Sequence, residues 1–112
     1  KLNMKVTSNA TDFILSPENA DITLFVSNLE SNYSDYLSKH IIVDLSSFNP
    51  SIAEAEMFQQ MQDQHIANQK SFVIVIADFD YNEATEGLNI VPTLQEAYDI
   101  IEMDDIQRDL GF

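Results

Sequence analysis

Two short apolar runs constrain this chain more than anything else in it: His40–Leu45 (His-Ile-Ile-Val-Asp-Leu) and Ser71–Ala77 (Ser-Phe-Val-Ile-Val-Ile-Ala). Both are too short for a helix, rich in β-branched residues and continuous rather than alternating, which is the pattern of a strand covered on both faces. Ser71–Ala77 is the more strand-like and is expected at the centre of a sheet. Between them, Ile52, Ala55, Phe58, Met61 and His65 or Ile66 recur at helical steps after Ser46-Ser47-Phe48-Asn49-Pro50. A strand, a helix and a strand in that order form the unit of a parallel sheet.

The remaining segments extend this unit. Met4–Ser8 and Asp12–Leu15 read as an antiparallel strand pair closed by Ser16-Pro17, since proline disfavours helix at the residue before it. From Asp21, an N-cap residue type, Ile22, Phe25, Val26, Leu29, Tyr33, Tyr36 and Leu37 describe an amphipathic helix. Asn82–Glu86 suits one helical turn stopped by Gly87, and Asn89-Ile90-Val91 a short strand closed by Pro92. Thr93 and Glu96 have capping-box spacing, with Leu94, Ala97, Tyr98 and Ile101 as an inward stripe. The expected fold is a single α/β domain over 1–112, with a mixed, mainly parallel sheet of about five strands covered by about four helices.

Charge and composition narrow the function. The 112 residues hold 5 Lys and Arg against 19 Asp and Glu, a formal charge of −14 that repels phosphate backbones and anionic lipid. Nucleic-acid and membrane partners are therefore not expected. Residues 71–112 carry 10 of the acidic groups and 1 basic group, so the acidity is concentrated there. The absence of Cys removes disulfides, thiolate metal sites and cysteine nucleophiles. No apolar run approaches the roughly 18 to 20 residues of a membrane helix and no signal peptide opens the chain, so a cytoplasmic location is expected.

Each place where chemistry could reside has a structural reading that outweighs it. Asp44 ends a buried strand, the position of a phosphorylated receiver aspartate, yet no acidic pair follows the first strand and no lysine follows Lys70; the expected role is to tie the next turn. Asp78, Asp80, Asn82 and Glu83 fail as a calcium loop, because Glu83 stands where glycine is required and Asn89 where a bidentate Glu belongs. His40 and His65, the 2 histidines, make a poor zinc site. Gly87 and Gly111 cannot form a glycine-rich phosphate cradle. Ser51, three residues before Glu54, fits a capping box, although a helix start also welcomes phosphate. No catalytic set and no cofactor emerges, and the expectation is a binding module rather than an enzyme.

The strand His40–Ser46 leading to a helix, the strand Ser71–Ala77, and Leu88–Ala97 (Leu-Asn-Ile-Val-Pro-Thr-Leu-Gln-Glu-Ala) turning into the last helix together resemble the STAS domain family. That family comprises sulfate-transporter and anti-sigma factor antagonist domains, and the ending Ile101–Phe112 is similar to its small stand-alone bacterial members. The resemblance implies a regulatory interaction domain with a phosphorylatable serine at the start of the helix after the Asp-Leu-Ser strand. The family's local Asp-Ser-Ser-Gly is replaced here by Ser47-Phe48-Asn49-Pro50-Ser51, making Ser51 the nearest match and Ser47 the second candidate phosphoacceptor. Phe48, Asn49, Ser51, Glu54 and Phe58 are then the expected partner-binding residues, and a protein such as an anti-sigma factor kinase the expected partner. The resemblance also implies that similar small proteins are encoded beside ribonuclease Z and can inherit its name, but no histidine cluster here would support that activity.

A second expectation concerns assembly. The last helix, 93–109, is roughly 25 Å long at 1.5 Å per residue, more than so small a sheet needs for cover. Its second half presents Ile100, Met103, Ile106 and Leu110 at an azimuth different from the inward stripe. Burial against a second copy, giving a homodimer, or against another protein such as a neighbouring enzyme would stabilise it. A third expectation, small-ligand binding, requires a deep pocket near Asp44, Asp78 and Asp80.

Overall fold

The computed structural model describes residues 3–79 and 86–111. Two strands, β1 (Lys5–Ser8) and β2 (Asp12–Ser16), form an antiparallel hairpin. Its turn is held by Asn9, whose Oδ1 accepts from the backbone N–H groups of Thr11 (2.9 Å) and Asp12 (2.8 Å). Helix α1 (Ile22–Ser31) follows, capped by the Asp21 carboxylate, which accepts from the Leu24 N–H at 3.0 Å. The helix ends earlier than its apolar stripe. Tyr33–Tyr36 form a 3-10 turn that still buries both tyrosines, while Leu37 is exposed.

Strand β3 (His40–Asp44) precedes α2 (Ile52–Glu56) and α3 (Gln59–Ala67), and then come β4 (Phe72–Val75), β5 (Ile90–Val91) and α4 (Leu94–Asp109). The five strands lie side by side in chain order, with β2, β3, β4 and β5 parallel. The centre of the sheet is therefore β3, not β4 as the apolar run at 71–77 suggests. β4 is interior all the same, hydrogen-bonded to β3 and β5.

The single helix expected after Pro50 is bent. At Met57 and Phe58 the bonding tightens to three-residue steps, Met57 N–H to Glu54 O and Phe58 N–H to Ala55 O, each 3.2 Å, before α3 resumes. The bend drops Phe58 into the core between Phe25 and Phe72, with ring centroids 6.0 and 6.4 Å away. Counting α2 and α3 as one bent unit, three helical units cover the sheet among the described residues, where the sequence predicts about four; most of the turn expected at 82–86 lies outside those residues.

Alternation along the strands sends each residue to one of two cores. Ile41, Val43, Phe72 and Ile74 face α1, α2 and α3, whereas Ile42, Val73 and Val75 face Ala97 and Ile101 of α4. The arrangement is a three-layer α/β/α sandwich, and the near-continuous apolar runs follow from a sheet covered on both sides. Two helix ends use left-handed residues. Gly111 (φ +84°) stops α4, and after α3 the Schellman bonds Gln69 N–H to Ile66 O (2.9 Å) and Lys70 N–H to His65 O (3.1 Å) place Gln69 at φ +64°.

Candidate interaction surfaces

The carboxyl ends of β3 and β4, where open α/β sheets place functional groups, carry Asp44 and, beyond β4, Asp78. Asp44 is committed to its own turn: Oδ1 accepts from the Ser46 N–H (3.0 Å) and the Ser46 hydroxyl (2.6 Å). Ser51 forms the full capping box, its Oγ accepting from the Glu54 N–H (3.1 Å) while Glu54 Oε1 accepts from the Ser51 N–H (2.8 Å). Both residues thus serve the chain locally, as their spacing predicts.

The other predicted partner-binding residues divide by burial. Ser47, Asn49 and Ser51 are exposed, and Phe48 is half-buried against the first core. Phe58 is 0% exposed and cannot touch a partner, because the bend between α2 and α3 turns it inward. Met57, which sequence reasoning passed over, takes the surface position beside it. An open hollow of about 380 Å³ lies beside the start of α2, lined by Asn49, Pro50, Ser51, Ile52, Ile76, Asp78 and Phe79, and Met57 lines a different one with Thr23, Ser27 and Glu30 of α1. Neither includes Asp44, and Asp80, Asn82 and Glu83 lie outside the described residues. Among the described residues no group of three His, Asp or Glu side chains is placed to hold a metal ion.

At the opposite end of the sheet the structure assembles a polar cluster that the sequence does not announce. Asp12, His40 and Ser71 stand side by side at the starts of β2, β3 and β4, two residues before positions that face α4. The second half of α4 lies over His40 and Ser71. His40 Nδ1 accepts from the Ser71 N–H at 2.9 Å, which fixes the proton on Nε2, and Nε2–H donates to Asp105 at 3.2 Å. The Ser71 hydroxyl donates to Asp104 (2.7 Å) and accepts from Arg108 (3.1 Å), and Arg108 also pairs with Asp105 (3.2 Å). Ser71 is buried completely, so this array of serine, histidine and aspartates is a clamp holding the helix and not a nucleophilic site.

His65 is likewise interior, where Ile66 is the apolar alternative at the same helical step. Its Nε2–H donates to the Lys39 carbonyl (2.8 Å) and its Nδ1 accepts from the Tyr33 hydroxyl (2.6 Å). Burial pushes the imidazole below its ordinary pKa; the Lys39 hydrogen bond opposes this, and the nearby basic side chains, Lys70 and Arg108 among them, add to the lowering.

The predicted assembly stripe on α4 splits. Ile100 packs against the second core, whereas Met103, Ile106 and Leu110 are 60%, 53% and 66% exposed. No known protein-family model matches the chain, and no curated protein is similar to it. Among the described residues, no helix is long and apolar enough to cross a membrane.

Proposed function

We propose that this protein is a non-enzymatic interaction domain of the type represented by anti-sigma factor antagonists, meeting a partner protein through the surface that follows β3. The observation carrying this reading is the commitment of Asp44, Ser51 and Glu54 to local structure beside a hollow that is open and lined in part by the exposed Asp78. Asp44 is spent on its turn, and Ser51 and Glu54 bond each other, leaving exposed side chains around an open hollow rather than a reactive group in a cleft. Asn49 and Ser51 line that hollow, Ser47 is exposed just before them in the chain, and Met57 is exposed beside a separate hollow against α1. The sequence resemblance to STAS domains and the five-stranded mixed sheet between helical layers are compatible with it.

Two consequences follow for regulation and recognition. Ser47 is exposed and takes no part in the cap, so a kinase-like partner could modify it without breaking the start of α2, whereas a phosphate on Ser51 would sit against Glu54. The charge of −14 favours a basic patch on the partner, with association that is fast at low salt and weaker at high salt.

Site-specific photo-crosslinking in the native cell tests the proposal. A crosslinker at position 47, 49 or 57 is expected to capture one common protein, and a crosslinker at Val6 on the far edge strand to miss it. Capture of the same protein from Val6, or none from the three positions, would overturn the reading.

A further inference from the structure

In the second half of α4 the usual distribution of side chains is reversed. At 3.6 residues per turn each residue advances by about 100°, so Asp104, Arg108, Ala97 and Ile101 cluster on the side facing the sheet. Met103, Ile106 and Leu110 fall on the opposite side. Beyond Ile101 the inward positions, Asp104 and Arg108, are polar and bonded to Ser71, while Met103, Ile106 and Leu110 on the outer side are apolar and open to solvent. A helix docked only for stability would place these residues the other way round, because each large apolar side chain moved from water to the interior contributes about 1.5 to 3 kcal/mol.

Charge decides what covers the apolar row. The helix carries six acidic residues, of which Asp104 and Asp105 are turned inward with its one cation, Arg108, while Glu96, Asp99, Glu102 and Asp109 are exposed and face no cation of the helix. A second copy would bring two such acidic helices face to face, each on a chain of net charge −14. Anionic lipid headgroups would be repelled in the same way. A segment with an apolar row flanked by Lys and Arg meets both requirements, burying the three side chains and neutralising the carboxylates around them.

We propose that the outer face of α4, around Met103, Ile106 and Leu110, is a second binding surface that takes a basic amphipathic helix of a partner protein. It is separate from the surface that follows β3, and either can fail without the other.

The test uses the full chain and two synthetic 18-residue peptides, followed by fluorescence anisotropy. One has leucines at steps of three and four with lysines between them; the other has the same composition with the leucines dispersed. The patterned peptide is expected to bind at least tenfold more tightly than the dispersed one, and a Met103→Gln, Ile106→Gln, Leu110→Gln variant to lose that difference. Because the three side chains are exposed, the urea midpoint of the variant should match that of the parent, which separates lost binding from lost folding. Equal binding of both peptides, or a preference that survives in the variant, would show attraction to general acidity and overturn the proposal. Sedimentation revealing a dimer of the parent chain that the variant dissolves would assign the face to a second copy and overturn it equally.

Discussion

The Tyr33 hydroxyl donates to Nδ1 of His65 at 2.6 Å, while the other nitrogen of the same ring is held by the Lys39 carbonyl. Two segments distant in sequence, the 3-10 turn after α1 and the end of α3, are thereby fastened through one neutral imidazole. A proton added to Nδ1 would have to displace the tyrosine hydrogen.

This predicts a specific acid sensitivity. The folded pKa of His65 lies below its unfolded value of about 6.5, so its contribution to stability is intact above that pH. Below it the unfolded chain binds a proton that the folded chain refuses; stability falls until the pH reaches the folded pKa, then levels off. Urea unfolding at a series of pH values from 7.5 to 5 should show this loss in the parent and a flatter profile in His65→Gln. Parallel profiles would remove His65 as the cause.

The clamp beneath α4 gives a second prediction. His40→Ala leaves the buried Ser71 N–H without its acceptor, at a cost of about 1 to 3 kcal/mol. The effect should be local as well as global: amide exchange at 104–110 is expected to accelerate more than at 94–101, where Ala97 and Ile101 remain packed. Uniform acceleration along the helix would argue against a clamp.

Gln69 occupies a left-handed conformation that suits glycine, at φ +64° in the Schellman turn after α3. Relief of that strain, offset by the greater freedom of glycine in the unfolded chain, should make Gln69→Gly more stable by about 0.5 to 1 kcal/mol. A chemical denaturation midpoint that stays put or moves down would contradict this.

The capping box gives the fourth prediction. Ser51→Ala should cost about 1 kcal/mol, and Ser51→Asp, which keeps an oxygen for the Glu54 N–H, distinctly less. Equal losses would mean that the hydroxyl is not what starts α2.

Those residues also mark where sequence reading succeeds and where it stops. The strands around Ile41–Val43 and Phe72–Val75 were legible because a sheet covered on both faces demands unbroken apolar runs, and both the Asp21 and Ser51 caps are local signals. The bend at Met57–Phe58 was not, since Phe58 continues the apolar stripe perfectly well on a straight helix; only its packing between Phe25 and Phe72 requires the break. His65 and Ile66 compete for one inward position, and composition favours isoleucine. Histidine wins through two partners, Tyr33 and Lys39, that no local pattern connects. The same holds for the clamp: Ser71 opens an apolar strand, Asp104 and Asp105 lie off the apolar stripes of the last helix, and no local pattern connects them until β3, β4 and α4 are brought together. The outward row on α4 was visible as a stripe, but Ile100 belongs to the core because its azimuth lies nearer the sheet.

β5 consists of two residues, Ile90 and Val91, at one margin of the sheet, and β1 at the other has all four residues exposed, beginning with Lys5. A visiting strand at the β5 margin would find too few main-chain partners to zip onto, and at β1 it would meet a charged, well-hydrated border. Growth into ribbons by lateral stacking is therefore disfavoured at both margins of the sheet among the described residues.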